Sequence, residues 1–306
     1  MNSQYLPIAC FGKLPCYTEY LEENISFPTS RALKNWIHEG RSESRLGSGD
    51  EDQVDEKTHR RFLFGLPGSV ELAVGVIRPS KDQGGTRRFP FMLLTHIPRR
   101  QYGKNYSLLP LALAPVWDAI DDAWESLANL ESRAAFKEML GSTLIPAPAP
   151  VDDVKGPFAA MQAESPSRIF EGHEGDSPAA LKRNFPEFLK RLSKGGEPPM
   201  VELPVAGDLP DAAADVAFWL EALNRQFFWK RYEPALFVEG APAKKNRQVL
   251  MVFGNIRPQD YASILGSAQD AGGVVRPARS GDADGAAPDD AAAAYGRTFA
   301  ELMKGL

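Results

Sequence analysis

Basic side chains gather in two turns of the sequence. Arg87 and Arg88 follow two adjacent glycines in one turn, and Lys244, Lys245 and Arg247 share a later loop. Turn backbone N–H groups together with guanidinium groups can bind an anion, so a small anionic or phosphorylated ligand is one hypothesis for these loops. A hairpin turn with surface arginines explains the first segment without any ligand, and both interpretations stay open.

The histidines and cysteines do not show the spacing of a metal site. No two histidines stand at the i, i+4 spacing of a zinc-binding helix. The cysteines occur without the second pair that a four-cysteine zinc site requires. We therefore expect no metal and no cofactor. The residues concerned are His38, His59, His96, His173, Cys10 and Cys16.

Motifs for nucleophilic catalysis and nucleotide binding are missing from the sequence. It contains no Gly-x-Ser-x-Gly elbow, no phosphate loop ending in Gly-Lys-Ser/Thr, and no Gly-x-Gly-x-x-Gly after a strand. Cys10 lies in an apolar run and is expected to be inert, whereas Cys16 follows a turn and is expected to be more exposed. The sequence therefore predicts a protein that is not an enzyme.

The composition favours a soluble protein of the cytosol. The 306-residue chain has a net charge of −5 and a pI near 5.6, which disfavours attraction to nucleic acid or to an anionic membrane. No run of about eighteen apolar residues and no basic leader occurs, so neither a membrane span nor a secretion signal is predicted. Two cysteines in a chain of this length favour a reducing compartment.

Hydrophobic periodicity predicts the elements that carry these residues. Residues 28–38 are predicted to form a helix that ends at Gly40, before a mobile loop or a domain-edge insertion at 41–60. Alternating apolar residues over 61–97 predict a three-stranded antiparallel meander, whose last strand, 89–97, is central in its sheet because both of its faces are apolar.

Helical patterns then alternate with strand patterns. Trp117 and Leu127 lie on one apolar helix face, and a second helix at 133–140 begins after Ser132 as its N-cap. Further strands are predicted at 200–205, 235–238 and 248–253, and further helices at 186–192, from 211, at 258–268 and at 290–304.

These elements predict an α/β (α+β) protein with four regions. The regions are an N-terminal α/β region at 1–141, a Pro/Gly-rich irregular connector at 142–180, a C-terminal α/β region at 181–269 that completes the fold or forms a second subdomain, and a flexible tail with a terminal helix at 270–306.

Two short motifs carry a family resemblance. A strand at 6–12 ends in Phe11-Gly12-Lys13-Leu14-Pro15, an acidic–aromatic pair follows at Glu19-Tyr20, and Trp36 lies in the next helix. Arg88-Phe89-Pro90 precedes an apolar strand. These residues resemble the TagF (ImpM) family of type VI secretion-associated proteins, in which Gly-Asp-Phe is usual where this chain has Thr18-Glu19-Tyr20.

The resemblance implies a fold, a function and a surface. The fold would be a mixed, largely antiparallel sheet flanked by helices and longin-like in part. The function would be that of a cytoplasmic accessory protein that restrains type VI secretion after translation by binding other secretion components, with a forkhead-associated scaffold protein as the implied partner. Lys13 and Arg88 are expected to face Glu19. The predicted partner-binding residues are Gly12, Lys13, Leu14, Pro15, Glu19, Tyr20, Arg88, Phe89 and Pro90.

Three alternatives for function remain open at this stage. A regulator is expected to have a shallow surface and no pocket. A small-ligand or phospho-group binding module, or an enzyme subunit, would instead have a concave pocket with convergent polar groups and a perturbed titratable residue, built around Arg87 and Arg88 and the loop Lys244–Arg247. A structural subunit would have an exposed apolar patch, and the motif residues themselves are also explained by the turn and the core alone.

Overall fold

The structure is a computed structural model that describes residues 5–48, 59–162, 200–205, 209–227, 233–240, 247–266 and 274–275. Three predictions concern residues that lie wholly or largely outside these ranges. The helix at 186–192, the side chains of Lys244 and Lys245, and all but two residues of the tail at 270–306 lie outside the described residues.

A single sheet organises the described part of the chain. Its nine strands there follow the order β11-β8-β10-β9-β4-β5-β6-β2-β3, and every neighbouring pair is antiparallel except β11 with β8. The strands are β2 Ala9–Gly12, β3 Leu21–Glu23, β4 Arg60–Phe64, β5 Glu71–Arg78, β6 Phe91–Pro98, β8 Met200–Val205, β9 Ala235–Glu239, β10 Arg247–Val252 and β11 Val274–Val275. A separate pair joins β1 Tyr5–Leu6 to β7 Ile145–Pro146. The predicted mixed, largely antiparallel sheet is confirmed.

The predicted meander forms the middle of the sheet. β4 pairs with β5 and β5 with β6, both antiparallel. β6 lies between β5 and β2, and the residues from Phe91 to Thr95 are all buried, so side chains on both of its faces are covered. The prediction of a central strand is therefore confirmed, and the cause is the one expected: an apolar residue on each face needs a layer packed against it.

Strands from the second half of the chain extend the same sheet. β9 pairs antiparallel with β4, with Arg61 opposite Val238, and β10 and β8 continue beyond it. A hydrogen bond outside the sheet also joins the two halves of the chain, because Trp36 Nε1 donates to the backbone oxygen of Arg257 at 3.0 Å. The regions predicted at 1–141 and 181–269 thus share one set of backbone hydrogen bonds.

Helices cover both faces of the sheet. On one face α1 packs with α7 over a core that includes Leu33, Trp36 and Phe237. On the other face α3 and α6 pack over a core that includes Trp117 and Leu220. The helices are α1 Pro28–Ser48, α2 Arg99–Tyr102, α3 Leu109–Leu127, α4 Arg133–Ser142, α5 Val151–Gln162, α6 Leu209–Phe227 and α7 Tyr261–Leu265, with 3-10 turns at Gly103–Leu108 and Pro258–Asp260. In the described part of the chain, no helix is long and apolar enough to cross a membrane.

The predicted end of the first helix is wrong. α1 continues through Gly40 to Ser48, so the first part of the predicted loop at 41–60 is helical. Gly40 is present for packing: a Cβ atom there would lie 2.4 Å from Cβ of Tyr261 on α7. The glycine lets α1 and α7 approach closely, and this reason is invisible in the local sequence because the partner is far away along the chain.

The connector predicted at 142–180 is more regular than expected over its described part. Ile145–Pro146 forms β7, and Val151–Gln162 forms α5 with Pro157 inside it. Asp152 and Asp153 lie in its first turn, where carboxylates are favoured by the helix dipole. Val151 and Val154 pack against the core, so burial of an apolar face compensates for the helix-breaking residues.

Candidate functional site

Two motif loops meet at one end of the sheet because of strand direction. β2 and β5 run in the same direction, because each pairs antiparallel with β6, which lies between them. The end of β2, the end of β5 and the beginning of β6 therefore lie together. The loop after β2 at 13–20 and the hairpin at 79–90 both start from this end, and Gln83 N–H donates to the backbone oxygen of Tyr17 at 3.2 Å, which joins them.

Gly12 makes this close approach possible. Its φ is +136°, and a Cβ atom there would lie 2.2 Å from the backbone oxygen of Pro90 and 2.7 Å from Cα of Phe91. Only glycine fits, both because L side chains rarely adopt that φ and because the hairpin backbone occupies the space. The Gly-Lys-Leu-Pro and Arg-Phe-Pro motifs are thus two sides of one contact.

The loop after Gly12 folds back over a lysine. The Lys13 side chain is only 2% exposed, and its ammonium donates to the backbone oxygen of Thr18 at 2.8 Å. It also lies 4.6 Å from the ring centroid of Tyr20. Burial lowers the pKa of Lys13 below its ordinary value, and the nearby Arg87 charge adds to this effect. Leu14 is buried in the core below, and the turn is closed by Tyr17 N–H on the Leu14 oxygen at 3.1 Å.

Asp82 organises the hairpin. Its carboxylate accepts hydrogen bonds from the backbone N–H groups of Thr86 and Arg87 at 3.2 Å each, and from Arg87 Nε at 3.0 Å. Burial alone would raise a carboxyl pKa, but these backbone bonds and the charges of Lys13 and Arg87 hold the pKa of Asp82 below its usual value. The hairpin is therefore held in one conformation by a charged side chain inside its turn.

Four rings form an aromatic cluster beside the loops. Phe11 stacks on Tyr20 at 5.8 Å between ring centroids, with 7° between their planes, and Phe89 meets Tyr20 edge-on at 4.9 Å. The His38 ring contacts the other three at 5.0 to 5.3 Å. Burial lowers the pKa of His38, with the Lys34 charge as a further cause. Tyr20 is 39% exposed, so the cluster presents one aromatic ring to solvent on a rigid support.

A pocket of about 300 Å³ opens between the two loops, α1 and the end of α3. Its described lining comprises Leu14, Pro15, Arg41, Pro79, Ser80, Lys81, Arg88, Phe89, Pro90 and Ala128. The prolines and the buried Phe89 make stiff walls, since proline has a fixed φ. Three basic side chains and one hydroxyl supply the polar groups of the described lining.

The basic residues of the pocket are positioned by two contacts, one on α1 and one across the hairpin. Arg41, on the part of α1 beyond Gly40, is 8% exposed and lies 5.4 Å from the ring centroid of Phe89. Lys81 and Arg88 are paired across the hairpin in an antiparallel bridge. Residues directly opposite each other in such a pair point to the same face, so both side chains are directed to the same side of the hairpin.

Comparison with known families gives a match over the region that contains both loops. Residues 9–142 match the model of the TagF N-terminal domain, which is described as type VI secretion system-associated. The N-terminal part of this chain is a TagF domain. The family resemblance predicted from the sequence is confirmed over residues 9–142, the part that matches this type VI secretion-associated domain.

Two further comparisons add little to the TagF assignment. The crystal structure of PA0076 from Pseudomonas aeruginosa PAO1 resembles this chain with a TM-score of 0.44 and 16% sequence identity, over 86% of this chain and 96% of that chain. A likeness at this level does not bear on function. The chain matches none of the curated proteins with which it was compared.

The TagF domain brings most of the predicted partner-binding residues together. Leu14, Pro15, Arg88, Phe89 and Pro90 line the pocket. Gly12 is the contact point between the loops, Tyr20 belongs to the aromatic cluster, and Lys13 lies against the Tyr20 ring. Their role in binding a partner stays a prediction.

The expected ion pair of Glu19 involves a different arginine of the TagF domain. Arg87, whose side chain is 54% exposed, approaches Glu19 at 3.9 Å and also binds Asp82. Arg88 lines the pocket instead. Arg88 is bridged to Lys81 across the hairpin, whereas Arg87 lies in the bend before it and binds Asp82, so the two arginines are held in different places.

Several site residues were missed from the sequence. Arg41 falls in the stretch predicted to be a loop, so no helix face could be assigned to it. Ser80 and Lys81 lie in the first part of the hairpin and carry no motif signal, and His38 was considered only as a metal ligand. The pairing of Lys81 with Arg88 could have been found by counting outward from the glycine turn.

Two other predictions about side chains have clear outcomes. Cys16 was expected to be more exposed, but it is buried, and burial raises the pKa of its thiol. Cys10 is fully buried, with its pKa raised to about 12 by the same cause.

Arg247, the described member of the second basic loop, is on β10, four strand positions from β6 and hence about 19 Å away. The two basic segments are not brought together there.

Metal ligands do not cluster in the described residues. No group of three or more His, Cys, Asp or Glu side chains there could hold a metal ion.

Proposed function

We propose that this TagF-domain protein is a cytoplasmic negative regulator of type VI secretion that acts after translation by binding another protein, without catalysing a reaction. The observation that carries the proposal is the domain match, because residues 9–142 include both motif loops and the whole aromatic cluster. Regulation, protein binding and cytoplasmic location are all parts of the proposal.

The Tyr20 surface is the part of the site suited to a protein partner. We define it as Glu19, Tyr20, Lys34 and His38. Tyr20 offers an exposed ring that cannot collapse, since Phe11 and Phe89 support it from below. Rigid tyrosines are common anchors at protein interfaces because they bury a large area with little loss of conformational entropy. Lys34 and its ion pair with Glu22 at 2.6 Å supply a polar rim.

The partner that we propose is another component of the same secretion system. The family resemblance points to a forkhead-associated scaffold protein, and that identity is a hypothesis that the contacts above do not themselves specify. What the contacts favour is a partner with an apolar or aromatic pocket for Tyr20 and polar groups around it.

Affinity capture from the native host tests the proposal. The tagged wild-type protein, Tyr20→Ala and Tyr5→Ala are compared, because Tyr5 is a still more exposed tyrosine on β1, which precedes the opposite end of β2. We expect secretion-system components to be captured by the wild type and by Tyr5→Ala, and at least about tenfold less by Tyr20→Ala, since interface anchors contribute about 2 kcal/mol or more. Recovery of metabolic enzymes only, or equal capture by both variants, would overturn the proposal.

A secretion assay tests the direction of the effect. Deletion of the gene should raise export of the system's own tube protein into the medium, and the Tyr20→Ala gene should fail to lower it again. Reduced export after deletion would show that the protein promotes secretion and would refute negative regulation.

A second candidate function has a specific observation in its favour. A regulator was expected to lack a pocket, whereas the structure has one of about 300 Å³ with convergent basic groups. Lys13 and His38 nearby have lowered pKa values because of burial. These features match the expectation for a small-ligand or phospho-group binding module at Arg88, although Arg247 is too distant to take part. The two functions are compatible, because the pocket and the Tyr20 surface use different groups.

A further inference from the structure

We propose that the partner of the Tyr20 surface binds by strand addition, in which an extended segment of the partner pairs with β3, the strand that begins directly after Tyr20. This proposal rests on the proposed function, because it takes Tyr20 as a contact of a protein partner. It adds the kind of segment that binds there and the backbone groups that hold it.

The position of β3 in the sheet is the first observation. In the described part of the chain β3 is the last strand at one end of the sheet, and β2 is its one neighbour there. Its middle residue, Glu22, is exposed. An edge strand presents a row of backbone N–H and C=O groups that have no neighbouring strand, and another extended chain can pair with them.

Hydrogen bonds just before β2 show which way its backbone groups point. The Pro7 oxygen accepts from Thr95 Oγ1 of β6 at 2.8 Å, and the Ile8 oxygen accepts from Asn24 Nδ2, directly after β3, at 2.8 Å. The hydrogen-bonding direction alternates along a strand with antiparallel neighbours. The even-numbered residues of β2 therefore turn their backbone groups towards β3, and the odd-numbered residues turn theirs towards β6.

This alternation identifies the outward groups of β3. Cys10 is opposite Glu23, and Gly12 is opposite Leu21, so Leu21 and Glu23 exchange backbone hydrogen bonds with β2. Glu22 lies between them, and its N–H and C=O point away from β2. Among the described residues, none hydrogen-bonds to these two groups. The edge thus offers one donor and one acceptor to an added strand.

Two helices hold β3 in place from opposite faces of the sheet. Lys34 of α1 pairs with Glu22 at 2.6 Å, and Lys137 of α4 pairs with Glu23 at 2.9 Å. Successive side chains of a strand point to opposite faces, so each lysine fixes the strand from its own side. A preformed edge loses less entropy when a segment binds, and this raises affinity.

The charge of Glu22 favours a different protein over a second copy of this chain. A symmetric antiparallel pair that used the outward groups of Glu22 would place the Glu22 side chains of two copies directly opposite each other. Like charges at opposite positions of paired strands are destabilising. A segment of another protein with a neutral polar or basic side chain at that position avoids this repulsion.

The neighbouring side chains define the partner segment further. Tyr20 precedes Glu22 by two positions, and its ring stacks on Phe11, the residue opposite Glu22, so Tyr20 and Glu22 lie on the same face. An added strand that places a neutral polar or basic residue at Glu22 brings the residue two positions away beside Tyr20. An apolar side chain there would pack on the exposed ring. The segment is therefore extended, with an apolar residue two positions from a neutral polar or basic one.

Amide hydrogen exchange of the full chain tests the proposal, with mass spectrometry that resolves single residues. The probe is the secretion component that the wild-type protein captures from the native host, measured as the isolated complex. In the free chain the Glu22 amide should exchange at least about tenfold faster than the amides of Leu21 and Glu23, and in the complex it should slow by at least about tenfold. Slow exchange of Glu22 in the free chain would mean that the edge is already paired, and unchanged fast exchange in the complex would mean that no strand is added; either result would overturn the proposal.

Two variants of one residue separate the backbone from the side chain. Glu22→Pro and Glu22→Gln both remove the carboxylate that pairs with Lys34, but only proline removes the outward N–H. Proline is accepted on edge strands where the N–H faces solvent, so both variants should fold, as circular dichroism would check. Capture by Glu22→Pro should fall at least about tenfold, because a carbonyl of the added strand loses its donor, and capture by Glu22→Gln should stay within about twofold of the wild type. The exchange experiment uses the wild-type chain and does not depend on the folding of the proline variant.

The outcomes distinguish this proposal from the proposed function. Weak capture by Tyr20→Ala together with full capture by Glu22→Pro would rule out strand addition and leave the proposed function standing. Equal losses in Glu22→Pro and Glu22→Gln would assign the effect to the side chain and would also rule out strand addition. Capture of no secretion component by the wild type would refute the proposed function and this proposal with it.

Discussion

Asp121 holds α3 against the sheet through a network of buried charges. Its carboxylate accepts from Arg61 Nε at 2.9 Å and from Arg78 Nη2 at 2.8 Å, and His59 Nε2 lies 2.9 Å away. Arg61 belongs to β4 and Arg78 to β5, whereas Asp121 lies on α3, so one carboxylate connects three elements. Asp118 and Glu125 on the same helix pair with the two arginines from the exposed side. We predict that Asp121→Asn destabilises the fold.

The size of the effect follows from the environment of the carboxylate. Burial by itself would raise its pKa, but the His59 contact and the two arginines lower the pKa from 3.8 to about 2. A depression of nearly two units corresponds to about 2.5 kcal/mol of stabilisation of the charged form. Breaking a buried ion pair commonly costs about 3–5 kcal/mol. Asp118 and Glu125 still partly satisfy the arginines in the variant, so we expect a loss of about 3 kcal/mol.

Urea unfolding followed by circular dichroism measures this loss, with Asp122→Asn as the matched control. Asp122 is the next residue of α3 and is exposed, so the same change of charge there should cost less than about 0.5 kcal/mol. The folded-state pKa of Asp121 is depressed, so its contribution is complete above about pH 4 and is lost as the pH falls towards 2. The gap between wild type and Asp121→Asn should therefore shrink below pH 4. Equal losses in the two variants, or a gap that stays constant to low pH, would refute the reasoning.

Three further predictions concern packing. Gly12→Ala should cost about 3–4 kcal/mol in urea unfolding, because its Cβ meets the hairpin backbone, whereas Gly68→Ala, also at positive φ but with open space, should cost about 1–2 kcal/mol; similar values for both would contradict the close contact. Gly40→Ala should lower the melting temperature although alanine is the better helix former by about 1 kcal/mol, and a rise would mean that α1 and α7 are not in contact. Cys10 and Cys16 should react with a thiol reagent at pH 8 only after unfolding, and rapid labelling of the folded protein would disprove their burial.

Local sequence patterns were sufficient to predict an element when the contacts that determine it lie within that element. The meander follows from residues that alternate at period two, and α3 follows from an apolar face that contains Trp117 and Leu127. Ser132 is confirmed as the N-cap of α4, because its hydroxyl accepts from Ala135 N–H at 3.2 Å. In each of these cases the determining contacts lie within a few residues of one another or on one face of one element.

Prediction failed where the determining contact was distant in sequence. Gly40 looks like a helix terminus, and only its contact with Tyr261 explains why the helix continues. The same error removed Arg41 from consideration, because a residue in an assumed loop has no predicted direction. The pocket itself required the strand order, since β2 pairs with β6, which is distant from it in sequence, as well as with its neighbour β3. Motif residues could be named from the sequence, but the cavity between them could not.

Phe89 connects the pocket and the Tyr20 surface physically. Its ring packs edge-on against Tyr20 at 4.9 Å and lies 5.4 Å from the Arg41 guanidinium. The side chain is almost fully buried, so it has little room to rotate without moving one of these neighbours. A ligand that moved Arg41 would therefore change the packing under Tyr20, and a partner that held Tyr20 would change the position of Arg41. Each would alter the binding free energy of the other by the same amount. The motif Arg-Phe-Pro thus contributes Arg88 and Pro90 to the pocket lining, and Phe89 connects the pocket to Tyr20.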